Sequence, residues 1–201
     1  RFLAFRSQGN FREDHAERIH QLLAAQGSAK IMCLNRSVSR LRSVDGVNRA
    51  LHGRRVRQMS LIDAPALLPG EPVVVTANDY ERQLFNGDQG CILKVAQDQE
   101  AARPFAVFAR DDELIAYPLA ELAPRLALAH ASTVHRAQGS EYERVLILLP
   151  EQPSSLCTRE ILYTALTRAK TSATIVGPRE VLQACLQNES RRSSGLRERL
   201  Q

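Results

Sequence analysis

VLILLPEQPSSLCTREILYTALTRAKTSATIVG, residues 145–177, reads as strand, helix and strand in succession. Residues 145–150 are a continuous apolar run, as expected of a strand covered on both faces of a parallel sheet. Thr158 is placed to cap a helix expected over residues 158–170, with Glu160 in the first turn where a carboxylate favours the helix dipole. Residues 172–177 read as a second buried strand, and residues 180–186 as a further helix. Strands joined through a helix form the crossover unit of a parallel α/β layer.

The same texture occurs near the start of the chain. Ala16, Ile19, Leu22 and Leu23 recur at helical spacing over residues 13–26, with Asn10 and Glu13 resembling a capping box and Gly27 a stop. Residues 30–35, KIMCLN, form a short apolar strand, and a weakly marked helix follows over residues 44–51. Between these halves the pattern changes. Residues 61–72 hold three prolines and Gly70, as in a linker. Then come PVVVT, CILKV, PFAVFA and ELIAYPL, short β-rich runs broken at Asn86-Gly87 and at Arg110-Asp111-Asp112. Strands so short and closely spaced predict a small antiparallel barrel over residues 65–125. The expected fold class is therefore α/β: a parallel-sheet domain formed by residues 1–64 and 126–201, interrupted by an all-β insertion.

The formal charge is +5 and the pI about 9.3, which suits a polyanionic partner without demanding one. No apolar run approaches the roughly 18 residues of a membrane span. Cys33, Cys91, Cys157 and Cys185 are scattered without metal-ligand spacing, so no metal site is expected, and free thiols in a reducing cytosol are the simplest reading. The chain opens at Arg1 without a methionine or leader and is read as a piece of a longer protein.

Two polar segments carry candidate chemistry. TVHRAQGSE, residues 133–141, gathers donors and acceptors between two apolar runs, and Gly139 permits a tight turn or close backbone approach. Alone, it is equally a polar loop with one helical turn. In YTALTRAK, Arg168 flanks the apolar stripe of its helix, from where a planar, permanently charged fork can reach phosphate oxygens. A lone arginine there is also consistent with a stem packed on the core.

Taken together, in this order and spacing, the two segments resemble motifs V and VI of superfamily 1 DNA helicases. NDYERQLFNGDQG (residues 78–90), GVNRAL (46–51) and RRSSGL (191–196) are similar to segments of the RecD family within it. The resemblance implies the second of two RecA-like motor domains, with a Src-homology-like barrel inserted, in an ATP-dependent 5′-to-3′ DNA helicase. It implies that Arg168 is the arginine finger and Arg36 a second arginine directed at the γ-phosphate. It places Glu141, Gly139 and Gln138 at the nucleotide, and Thr133 and His135 against the DNA backbone. Asn86 and Phe85 would guide the strand, Phe85 being equally a core residue. ATP and Mg²⁺ would be held mainly by a first motor domain, since GxxxxGK[ST] is absent from these 201 residues. The implied partners are single-stranded DNA, that first motor domain, and the RecB and RecC subunits of the RecBCD helicase–nuclease of double-strand-break repair.

Other functions fit less well. A non-catalytic single-strand-binding module is the alternative, but the β-rich block has few clustered Lys or Arg. A peptide-binding barrel needs aromatics, and the chain has no Trp and 5% aromatic residues. Asp111, Asp112 and Glu113 read as a solvated hairpin tip and not a nuclease metal site.

Overall fold

The computed structural model describes residues 3–7, 10–36, 41–97, 100–111 and 113–189. RRSSGL and Asp112 lie outside them. In chain order the elements are β1 (Leu3–Ser7), β2 (Asn10–Phe11), α1 (Glu13–Ser28), β3 (Ala29–Cys33), α2 (Val44–Gln58), β4 (Pro72–Val75), β5 (Gln89–Gln97), β6 (Arg103–Arg110) and β7 (Glu113–Pro118). They continue with α3 (Leu119–Leu122), β8 (Leu126–Leu128), β9 (Ala131–Thr133), β10 (Tyr142–Leu148), α4 (Arg159–Leu166), β11 (Ala169–Val176) and α5 (Arg179–Gln187).

β11, β10, β3 and β9 form a four-stranded sheet in that order, parallel throughout. Met32, Ile147 and Leu149 pack on one face against Leu162 of α4 and Val181 of α5. Cys33 and Ala131 meet Val44 and Val47 of α2 on the other. The chain leaves this sheet after β3 and returns to it at β9.

The intervening strands form a second sheet, in which β4, β5, β6 and β7 are antiparallel neighbours. Among the described residues no pairing joins β7 to β8, so the strand ladder stays open. This sheet also reaches beyond residues 65–125. β8 pairs with β4, and β1 pairs in parallel with β5 at Leu3↔Lys94 through Arg6↔Gln97. β1 and β2 therefore sit with the all-β sheet, not with the parallel one as expected. The cause is length: β4 covers β5 only at residues 89–91, and the rest of that edge needs partners for its backbone groups.

Ile19, Leu22 and Leu23 of α1 cover Leu93, Val95, Phe105 and Val107 on one face. Val73, Ile92, Ala106 and Phe108 fill the other. With both faces covered, β5 and β6 lose the strict alternation of a half-exposed strand. Gly90 lies where these layers are tightest. A Cβ there would meet the Val107 carbonyl at 2.5 Å and Phe108 Cδ1 at 2.7 Å, so Gly90→Ala is expected to destabilise the protein by about 1–3 kcal/mol, measured by urea unfolding.

The ends of three helices differ from expectation. Asn10 pairs with Ser7 in the β1–β2 ladder, so Arg12 is the cap of α1, without a side-chain bond, and Gly27 stays inside the helix. α2 runs on to Gln58, capped by Ser43, which accepts from Gly46 N at 3.1 Å. α4 stops at Leu166, short of residue 170. The Thr164 and Thr167 hydroxyls bond back to Glu160 O (2.7 Å) and Thr164 O (3.1 Å), and this bends the chain out of the helix.

Candidate functional site

The loop from β9 to β10 is anchored by two buried residues, Val134 and Ala137. Between and beyond them His135, Arg136, Gln138, Gly139 and Glu141 are exposed. Thr133 Oγ1 accepts from Arg136 N at 3.3 Å, tying the end of β9 to the short 3₁₀ turn over residues 135–137. Gly139 has φ of 85° and open space where a Cβ would stand, so its backbone conformation, not crowding, requires glycine.

Arg168 lies in the turn after α4 and not on the helix itself. Its Nη1 donates to Ser140 O at 3.4 Å, its Nε to Thr164 O at 3.3 Å and its Nη2 to Thr167 Oγ1 at 3.4 Å. Tyr142 N donates to Arg168 O at 2.8 Å. The half-buried guanidinium therefore sits beside the turn containing Gly139, among partners that are all neutral. Its charge has no carboxylate among those contacts, leaving it available to an anion. Glu141 pairs at 3.7 Å with Lys170, both exposed.

A second group forms at the seam of the two sheets. Arg36, Thr133 and Asn86 line one cavity of about 280 Å³, together with Lys30, Ser132, Arg136 and Asp45. Phe85 is 47% exposed, edge-on to Tyr80 at 6.3 Å, so it is a surface ring and not core. Arg36 follows the C-terminal end of β3, whereas Arg168 precedes β11. They enter from opposite ends of the parallel sheet, and among the described residues no contact joins them. The candidate residues thus fall into two sets. Arg168 is joined to the Gly139–Ser140 turn, with Glu141 beside it. Arg36, Thr133 and Asn86 surround the seam cavity.

Sequence reasoning missed the polar cluster that holds the seam. Glu71 is fully buried, accepting from Leu68 N at 2.7 Å and facing His52 Nδ1 at 2.9 Å. His130 Nε2 is 3.8 Å away. Burial alone would raise the Glu71 pKa, but contacts with His130, the Leu68 amide and His52 outweigh it and hold the carboxyl below its ordinary value. Asn48 of α2 bridges the two sheets, donating to Leu128 O and accepting from Ala131 N, each at 2.9 Å.

Other chemistries find little support. Burial pushes the Cys33 and Cys185 thiols up to about 12 and Cys91 to about 11, so none of these three is a nucleophile at neutral pH. Among the described residues no three His, Cys, Asp or Glu side chains gather as metal ligands, and no helix is long and apolar enough to cross a membrane.

Residues 128–176 match the UvrD-like helicase C-terminal domain. The RecBCD enzyme subunit RecD of Mycobacterium tuberculosis is 35% identical over 188 residues, covering 89% of this chain and 30% of that protein. The ATP-dependent RecD2 DNA helicase of Deinococcus radiodurans is 40% identical over 133 residues, 66% of this chain and 18% of that one. The chain therefore spans less than a third of either relative. A solved Pif1 helicase from Bacteroides, in complex with ADP-AlF3 and single-stranded DNA, aligns with a TM-score of 0.48 at 17% identity, covering 89% of this chain and 48% of that one, a likeness too loose to bear on function. The chain is a homologue of RecD subunits and of RecD2 helicase, with a segment of the UvrD-like helicase C-terminal type at its residues 128–176.

Proposed function

We propose that the chain is the second, RecA-like motor half of an ATP-dependent 5′-to-3′ DNA helicase, with the all-β sheet as an inserted Src-homology-like barrel. The observation that carries this reading is the position of Arg168, whose guanidinium meets only neutral partners beside the Gly139 turn. A preorganised cation of that kind stabilises charge developing on a transferring γ-phosphate. Glu141, Gly139 and Gln138 form the exposed surface next to it and would contact the nucleotide. Thr133, His135, Asn86 and Phe85 would meet the DNA, their hydroxyl, imidazole and amide groups bonding phosphate without reading sequence. Arg36, across the sheet, would serve the γ-phosphate where a first motor half brings the nucleotide within its reach.

The residues present fit one side of an ATP site. An uncompensated arginine suits the phosphates, whereas no gathered carboxylates among the described residues suit Mg²⁺. The remainder of the protein would hold metal and phosphates, and RecB and RecC subunits are the partners that the homologues suggest. Joining this chain to the rest of a RecD-type protein should give ATP hydrolysis stimulated by single-stranded DNA, while the 201 residues alone should turn over none. Turnover by the chain alone, or a joined protein indifferent to DNA, would remove the reading. Fluorescence anisotropy at two salt concentrations checks the competing module reading, which requires sub-micromolar, salt-dependent binding by the chain alone.

A further inference from the structure

The second residue of β3 is a lysine that a buried strand does not need. Lys30 is 7% exposed, and its ammonium donates to Gln89 Oε1 and to Ala129 O, each at 3.0 Å. Both acceptors are neutral. Burial lowers its pKa from 10.5 to about 8, with no carboxylate offsetting the effect. At neutral pH it is still a cation, and a desolvated cation without a counter-charge is a site candidate when a ligand could supply that charge.

The cavity beside it holds a second unmatched group. Ser132 Oγ is buried and has no hydrogen-bond partner among the described residues. An orphaned buried hydroxyl is uncommon and calls for a cause. Around these two, Arg36 and Arg136 bring exposed guanidinium groups, and Asp45 is the one carboxylate on the described wall. Three cations thus face one anion in about 280 Å³, near the lower end of the ~300–1,000 Å³ of small-ligand pockets.

We propose that this seam cavity binds a phosphate group, with the Lys30 ammonium supplying charge, the Ser132 hydroxyl a donor, and Arg36 and Arg136 guarding the mouth. The phosphate comes either from the backbone of a nucleic-acid strand or from a free phosphate ion. The first source rests on the DNA reading above, while the anion site stands without it. Lys30 and Ser132 lie on neighbouring strands of the parallel sheet, β3 and β9, and the Lys30 ammonium reaches across the seam to Gln89 of the all-β sheet. A phosphate bound to both would therefore sit over two neighbouring strands of the parallel sheet, at its border with the all-β sheet.

The chain has three lysines, Lys30, Lys94 and Lys170, so ¹³Cε-lysine NMR can follow each one separately. Titrations are run with inorganic phosphate and with a short oligothymidylate. An opposite charge within ~4–6 Å raises a lysine pKa by about one unit or more, and that rise is expected at Lys30 but not at Lys94. A rise with the oligonucleotide alone assigns the backbone as source, and a rise with phosphate alone assigns the free ion. Ser132→Ala is expected to weaken that ligand about tenfold while leaving the melting temperature unchanged or higher, a split that a structural hydroxyl would not give. Lys30→Met should weaken it similarly; should that variant fail to fold, the NMR shift and Ser132→Ala still decide. A Lys30 signal unmoved by both ligands overturns the proposal, even if the intact helicase still hydrolyses ATP in response to DNA.

Discussion

Glu71→Ala is expected to lower the unfolding free energy by about 3–5 kcal/mol, since a buried amide left without its acceptor costs about 1–3 kcal/mol and the void left by the side chain adds to it. The carboxylate has no exposed surface and receives the Leu68 amide at 2.7 Å and His52 Nδ1 at 2.9 Å. An acceptor-only carboxylate requires that Nδ1 carry the proton. Removing it strands a buried amide, leaves two imidazoles facing a void, and loosens the linker that leads into β4. Against a total stability of about 5–15 kcal/mol this is a large fraction. The titratable groups around it are His52 and Arg55 of α2, His130 before β9, and Cys91 of β5. Because the folded carboxyl pKa lies below its ordinary 4.5, its contribution is fully present above that value and is lost as pH falls through the lowered one. Urea unfolding from pH 7 downward should show wild type losing stability across the carboxylate range. Glu71→Gln, which retains an acceptor for Leu68 N, should show a flatter pH dependence. An alanine variant as stable as wild type would mean that the seam is held by the apolar clusters alone.

The pattern of the sequence made the parallel layer legible through its apolar runs, buried in β3 and the later half of β10, whereas β11, expected as a buried strand, lies at the sheet edge with most of its residues exposed. KIMCLN, VLILLP and SATIVG each correspond to a strand. The antiparallel strands were legible for a different reason, since short apolar runs between turn residues have few other solutions. Less legible were features decided by distant partners. β1 exists because β5 leaves an edge uncovered, which nothing near residue 3 announces. α2 has Gly46 and Gly53 in its interior and only a faint apolar stripe, yet it runs to Gln58, held by Ser43 at its start and Asn48 against β8 and β9.

The same distinction applies to the candidate site. Arg168 and Gly139 are close in sequence to the elements that position them, so their juxtaposition could be expected. Their helix could not be bounded, because hydroxyl back-bonding at Thr164 and Thr167 competes with helix propensity at short range. Lys30, Ser132 and Glu71 acquire meaning only once two sheets close over them. Lys30 left a faint signal, a charge in an apolar strand. Glu71, beside a proline in a linker, left none.

Arg168→Ala in the full-length protein is expected to reduce ATP turnover about 10³-fold or more, the worth of an arginine finger once phosphates and metal are in place. Nucleotide binding should change far less, because an arginine in that role acts on charge that develops during transfer. The geometry makes the result interpretable. The guanidinium's protein contacts are long, at 3.3–3.4 Å, and neutral, so removing them should lower stability by no more than about 1 kcal/mol. The fold of the turn rests instead on the Tyr142 N to Arg168 O bond at 2.8 Å, a backbone contact that alanine preserves. Arg168→Lys should recover little, since an ammonium cannot present the planar fork that spans two phosphate oxygens. Single-turnover hydrolysis, nucleotide affinity and melting temperature, measured on the same variants, separate the alternatives. Loss of turnover with the other two unchanged assigns the arginine to the chemical step. Turnover that falls only as far as the melting temperature does would make Arg168 a strut for the Gly139 turn, and full turnover would leave the helicase reading without its central cation.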